Sequence, residues 1–381
     1  MAIVNTLKKI ISQIKKPRIK YDPLIEVKIS KDNLLHNLHQ YQSSSLGLKF
    51  IPVLKSNAYG HGLVEVAGIL DHEACDFLAV DSFYEALKLR QSKIRSNILV
   101  LGYTTLEQLN QGVVGGCSFV ITSLDQLVYI SNHLHYAQKF HLKIDTGMCR
   151  QGILPEQTDG AIQLIKKNSN IILEGICSHF SDADNVDESF TLKQIDAWNK
   201  VVASIDSKLP NLKYKHISST AGIKYKDRIN ANMCRLGLGL YGIGQKEVGL
   251  KPALQMVAKI TGIKNIKRGD EVGYGKTFTA PSDMKVATVA AGYYEGVDRR
   301  LSNRGFVRIR NQFCSIIGRV SMNISTIDVS GVSSITIEDE CILMSDKIGD
   351  PNSIESIANL CDTIPYEILI HIPPHLRRTI I

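Results

Sequence analysis

Between residues 24 and about 245, short apolar runs alternate with longer stretches of helical periodicity, and this rhythm constrains the fold more than any other feature. Strand-like runs fall at 24–29, 50–54, 77–80, 98–102, 118–122, 140–145 and 172–179. Helical patterns separate most of them, at 63–70, 82–91, 106–113, 124–134 and 192–207, and Ser30 is placed to cap a helix running to about Ser44. Repeated βα units of this kind predict an α/β fold with a parallel sheet, either a closed barrel or a doubly wound sheet. Both architectures place functional residues just after the strands.

Near residue 250 the pattern changes. Runs at 257–266, 285–291, 306–309, 315–320 and 324–329 read as strands joined by short turns such as Arg268-Gly269-Asp270, with one late helix near 353–360. Antiparallel β structure is the natural expectation for this part. The sequence therefore divides into a basic amphipathic extension (1–20), an α/β domain (21–246) and a mainly antiparallel β domain (247–381).

Composition narrows the function classes. The chain has 381 residues, 44% apolar and 22% charged, as expected of a globular protein. Its +8 formal charge is concentrated in Lys8, Lys9, Lys15, Lys16, Arg18 and Lys20, so the body is near neutral and offers no broad basic face for nucleic acid. A basic amphipathic extension of this kind suits a membrane surface, packing on the body, or a mobile tail. The cysteines lack the CxxC spacing of a zinc site and read as small buried hydrophobes in a reducing, cytoplasmic setting. No metal is expected.

The segment Lys55-Ser56-Asn57-Ala58-Tyr59-Gly60-His61-Gly62 carries the clearest chemistry. A lysine at the end of a buried strand commonly reaches for solvent. Held in a desolvated site, its amine instead becomes a nucleophile or Schiff-base partner. This segment closely resembles the pyridoxal-phosphate lysine motif of the alanine racemase family. Further motifs follow in the family's order: Leu142-Lys143-Ile144-Asp145-Thr146-Gly147-Met148-Cys149-Arg150, Ser178-His179-Phe180, Arg235-Leu236-Gly237-Leu238-Gly239, Gly292-Tyr293-Tyr294-Glu295-Gly296 and Ser321-Met322-Asn323.

The resemblance implies a TIM-like (β/α)8 barrel, a C-terminal β domain, and a homodimer sharing its active sites. It implies an amino-acid racemase that interconverts L- and D-alanine with pyridoxal 5'-phosphate, supplying D-alanine for peptidoglycan. Lys55 would hold the cofactor as an internal imine and serve one face of the substrate Cα. Tyr293 would serve the other face from the partner subunit. Arg235 would face the pyridine nitrogen, supported by His179. Tyr59, Thr220, Gly237 and Leu238 would bind phosphate, the last two through backbone N–H groups. Arg150 and the Met322 backbone would take the substrate carboxylate, and Lys143 matches a lysine carbamylated in many relatives.

Four departures stand against the family pattern. Ser219-Thr220 replaces Asn-Ser, Glu295 and Asn323 each replace an aspartate, and Pro374 falls about where a second phosphate-binding tyrosine is expected. Three rival readings stay open: a basic amino-acid decarboxylase, a pyridoxal-phosphate carrier, and a racemase of broader substrate range. The first lacks its Cys-Asp and His-Pro-Gly signatures here, and the second leaves the β domain with Tyr293 unexplained.

Overall fold

A computed structural model describes residues 21–112, 115–244 and 249–381. The basic extension expected at 1–20 and the domain boundary expected at 246/247 lie outside them. Eight parallel strands form one sheet: β2 (Lys49–Pro52), β3 (Leu78–Val80), β4 (Ile98–Val100), β5 (Cys117–Ile121), β6 (Gln138–Lys143), β7 (Ile171–Cys177), β8 (Tyr214–His216) and β9 (Met233–Leu236). Their order is β2-β9-β8-β7-β6-β5-β4-β3, and a Val53–Ala79 bridge joins the two ends into a barrel. The strands β3, β4 and β5 are buried at every residue, which is why they read as apolar runs, broken only at Ser118, rather than as alternating ones. Helices wrap the outside, several opened by side-chain caps from Ser30, Ser82, Thr105 and Ser123.

The second sheet corrects the expected start of the barrel. Strand β1 (Ile25–Ile29) does not join the barrel; it pairs with β10 (Leu254–Ile266) antiparallel and with the C-terminal strand Arg377–Ile380 in parallel. A strand's sequence shows its apolar pattern, not its neighbour. The long strand β10 organises this sheet, pairing also with the antiparallel strands Met284–Val289 and Glu340–Met344. The expected late helix is present at Ile354–Leu360, and a second, Pro365–Ile370, follows it.

Among the described residues, the first and last strands thus belong to the second sheet, with the barrel between. One continuous apolar core runs through both. Wholly buried Asn37 helps tie them: its Nδ2 donates to Leu240 O and Lys251 O, and its Oδ1 accepts from Lys251 N–H. A close contact falls at Gly60, within the lysine motif. Arg378 donates to Gly60 O from Nη2 at 2.9 Å and from Nε at 3.2 Å. Gly60 adopts φ +81°, and a Cβ there would lie 2.1 Å from Leu369 O.

Gly60→Ala should therefore destabilise the chain by about 2–4 kcal/mol, combining left-handed strain with displacement of helix Pro365–Ile370. Urea unfolding of the cofactor-free protein checks this. A midpoint equal to wild type would show that the contact is not constraining.

Candidate active site

Lys55 stands at the C-terminal mouth of the barrel, just beyond β2. The residues after it form a left-handed turn, with φ of 55°, 57°, 51° and 49° at Ser56, Asn57, Ala58 and Tyr59. Left-handed geometry costs L-residues about 1–2 kcal/mol each. Local bonds hold it: Ala58 N–H donates to Leu54 O at 2.7 Å, and Leu63 N–H donates to Asn57 Oδ1 at 3.0 Å. His61, fully buried, donates from Nδ1 to Tyr59 O at 2.9 Å. Burial pushes its pKa down to about 4, so the ring stays neutral.

A cavity of about 490 Å³ opens beside Lys55. It brings together Lys55, Tyr59, Lys143, Arg150, His179, Thr220, Arg235 and Gly237, eight residues selected from sequence. Lys143 extends from the end of β6 and donates to Gln151 Oε1 at 3.0 Å. Burial, joined by the charges of Arg235, Arg150 and Lys55, pushes its ammonium below the ordinary lysine range, against an opposing effect of Cys177. Arg150 follows a loop shaped by Asp145, whose Oδ1 accepts from Gly147 N–H at 2.9 Å and Cys149 N–H at 3.1 Å. Cys149 is exposed there at φ +55°, contrary to the expectation of a buried thiol.

Arg235 is the penultimate residue of β9, buried inside the barrel mouth. Its Nη2 donates to Ser178 O at 2.6 Å, Ile217 O at 2.9 Å and His179 Nδ1 at 2.9 Å. Its Nη1 donates to His216 O at 3.1 Å and to His216 Nδ1. Because arginine only donates, His216 carries its proton on Nε2 and passes a bond to His141 Nδ1 at 2.8 Å. His141 Nε2–H then faces Glu174 Oε1 at 3.4 Å. Burial would raise the Glu174 carboxyl, but the nearby His141 ring and the hydrogen bond from the Ser118 hydroxyl outweigh it and hold the group below its ordinary range. Burial first, then nearby positive charge, pushes His179 down to about 3 and His216 well below its usual value. This buried line from Arg235 to Glu174 was not legible in sequence. A Cβ on Gly175 would lie 2.6 Å from His141 Nδ1, so even that glycine serves it.

Across the cavity, the N–H groups of Gly237 and Gly239 converge on Thr220 Oγ1 at 3.1 and 3.3 Å. Tyr59 packs beside them, its ring 5.3 Å from Tyr241 and 5.6 Å from Tyr366. The structure corrects the expectation placed on Pro374. The aromatic hydroxyl near the C-terminus is Tyr366, which lines the cavity from the second position of helix Pro365–Ile370. The signal was Pro365, a helix-opening proline whose short helix escaped the sequence reading. Hydroxyls, converging N–H groups and four cations suit a doubly anionic group such as pyridoxal phosphate.

Leu238, Tyr293 and Met322 do not line this cavity. Leu238 opens the short helix Leu238–Tyr241 and is buried behind Gly237. Tyr293 begins a short turn after strand Met284–Val289, is 43% exposed, and lines a separate cavity with Asp298, Arg299 and His371. Its neighbour Tyr294 donates N–H to Met322 O at 2.9 Å, while Met322 is itself exposed. The departures at Glu295 and Asn323 meet each other. Asn323 Nδ2 donates to Glu295 Oε1 at 2.6 Å, and Glu295 Oε2 accepts from Gly292 N–H at 2.9 Å. The longer carboxylate reaches an amide, where two aspartates would repel.

Asn323→Asp should destabilise the β domain by roughly 1–3 kcal/mol, because it removes the donor and opposes two carboxylates. Asn323→Asp with Glu295→Gln should recover most of the loss in urea unfolding, and a double variant no better than the single would reject the pairing. The buried histidines set a pH dependence. Their folded pKa values lie below the unfolded value near 6.5, so the unfolded chain takes up more protons as pH falls. Stability is complete above that value and falls as pH drops below it, by about 1.4 kcal/mol per pH unit for each of His61 and His179 down to about pH 4. Urea midpoints of the cofactor-free chain that stay constant from about pH 7 to 5 would contradict this.

Known proteins match the chain over nearly its whole length. The family profile described as "Alanine racemase, N-terminal domain" matches residues 29–245, and "Alanine racemase, C-terminal domain" matches 253–380. Alanine racemase 2 of Caldanaerobacter subterraneus subsp. tengcongensis is 32% identical over 92% of this chain and 93% of its own. Alanine racemase of Fusobacterium nucleatum is 34% identical over 87% of this chain and 94% of its own. Among solved structures, alanine racemase of Clostridium difficile 630 superposes with a TM-score of 0.87 at 32% identity, over 95% of this chain and 97% of that one. Two domain matches in sequence order, relatives above 30% identity across both domains, and a barrel mouth holding the motif residues lead to one assignment: the chain belongs to the alanine racemase family.

Proposed function

We propose that the protein interconverts L- and D-alanine with pyridoxal 5'-phosphate, as a homodimer whose two sites are each completed by the partner subunit. The observation that carries this reading is the separation of two reactive side chains. Lys55 lines the cationic cavity, and Tyr293 of the same chain lines a different one. Racemisation needs a group on each face of Cα, one to take a proton and one to give it. A two-fold interface would bring Tyr293 of the partner subunit to the Lys55 cavity.

When bound, pyridoxal phosphate supplies an electron sink for the charge left at Cα. The chain's own residues do the rest. Lys55 provides the amine that holds the cofactor and then moves the proton on its own face of Cα. Tyr59, Thr220 and the N–H groups of Gly237 and Leu238 would hold the phosphate, and the exposed hydroxyl of Tyr366 would join them. Arg150 takes the substrate carboxylate, its planar fork matching two oxygens, with the Met322 backbone as a further donor. Both terminal nitrogens of Arg235 are committed to protein acceptors, which leaves Nε–H as the donor for the ring nitrogen. An arginine does not release that proton, so Arg235 would keep a ring nitrogen beside it unprotonated and the sink weak. The depressed Lys143 ammonium favours a neutral amine able to take up carbon dioxide, and the resulting carbamate would oppose the charge of Arg150. Supply of D-alanine for peptidoglycan in the cytoplasm is the cellular role this reading carries. No helix among the described residues is long and apolar enough to cross a membrane.

Lys55→Ala should lose the absorbance of the bound cofactor and racemisation in both directions. Tyr293→Phe should keep the cofactor and lose most activity. After subunit exchange, an equal mixture of the two inactive variants should recover about one quarter of wild-type activity, since half the dimers are mixed and each holds one intact site. No recovery, with mixed dimers shown by differently tagged chains, would mean that Lys55 and Tyr293 serve the same chain's site.

A further inference from the structure

The residues lining the Lys55 cavity include four cations, Lys55, Lys143, Arg150 and Arg235, and a single carboxylate, Asp81. The reading above gives each cation a task and leaves Asp81 without one. Asp81 directly follows β3, and its backbone is fixed on both sides. Its N–H donates to Glu85 Oε2 at 2.8 Å, and its carbonyl accepts from Gly102 N–H at 2.8 Å. A Cβ on Gly102 would lie 2.4 Å from that carbonyl oxygen, so the two segments are pressed together. The side chain is free to face the cavity: its Oδ1 lies 3.9 Å from Lys55 Nζ. Among the described residues, each is the other's only ion-pair partner.

We propose that Asp81 is a positioning residue for Lys55, holding the lysine's amino group at its face of the substrate whenever that group is not bonded to the cofactor. The inference rests on the racemase reading, in which an incoming amino acid displaces Lys55 from the cofactor. The freed ammonium then stands near the positive charges of Arg150 and Arg235. Their repulsion, and the flexible four-carbon stem, favour escape toward solvent. A carboxylate on a fixed backbone opposes that escape. Asp81 neither forms nor breaks a covalent bond; it restricts where the amine rests.

Two readouts test this. In the cofactor-free chain, Lys55 paired with Asp81 should react slowly with acetic anhydride, with exposed Lys167 of the same chain as reference. Asp81→Asn and Asp81→Ala should speed Lys55 acetylation by about fivefold, the upper range for a half-exposed ion pair, and Asp81→Glu should stay near wild type. In the loaded enzyme, Cα–H exchange into deuterated water is measured separately from each enantiomer. Tyr293→Phe identifies the enantiomer served by Lys55 as the one whose exchange survives better. Asp81→Asn should slow exchange of that enantiomer about fivefold and leave the other within twofold. Unchanged acetylation of Lys55, or equal loss from both enantiomers, would overturn the proposal. A wild-type enzyme that exchanges neither enantiomer would instead defeat the racemase reading, and the acetylation arm would still decide the ion pair.

Discussion

Four consecutive left-handed residues follow Lys55, and the cost of that turn sets the terms that the surrounding structure meets. The turn aims Lys55 into the barrel mouth while burying Ala58 and Tyr59 behind it. It survives because two domains close on it. Gly60 admits the backbone of Leu369, Arg378 takes its carbonyl, and neutral His61 ties the turn to itself. The β domain therefore does more than carry Tyr293. It braces the lysine of its own chain, and its helix Pro365–Ile370 brings Tyr366 to the same cavity.

Electrostatics at the site follow from burial and donor count. Arg235 is a buried cation with no carboxylate partner among the described residues, so its charge is spread over carbonyls and two neutral histidines. That arrangement fixes the tautomer of His216, and through it that of His141, before the line ends at Glu174. The strongly lowered histidine values are the counterpart of this arrangement. A protonated imidazole beside a buried guanidinium would be doubly penalised. The excess of cations in the cavity suits a ligand carrying a phosphate and a carboxylate.

The βα rhythm of the sequence showed an α/β fold with a parallel sheet, the family resemblance chose the barrel, and local motifs marked the site, because all of these are written in neighbouring residues. Lys55, Tyr59, Lys143, Arg150, His179, Thr220, Arg235 and Gly237 are far apart in the chain, yet line one cavity at the mouth. What escaped was long-range. The pairing of β1 with the second sheet, the line from Arg235 to Glu174, and the meeting of Glu295 with Asn323 depend on partners distant in sequence. Tyr366 escaped for a different reason: its helix spans six residues, too short to leave a periodic signature.

The most direct measurement of the account is the fate of pure L-alanine incubated with the protein and pyridoxal 5'-phosphate in deuterated water. Chiral separation and mass analysis should show L- and D-alanine approaching equal amounts, with deuterium at Cα of the product enantiomer. Starting from D-alanine should give the same final mixture. Carbon dioxide and ethylamine in place of D-alanine, or alanine recovered unchanged with the cofactor bound, would contradict it.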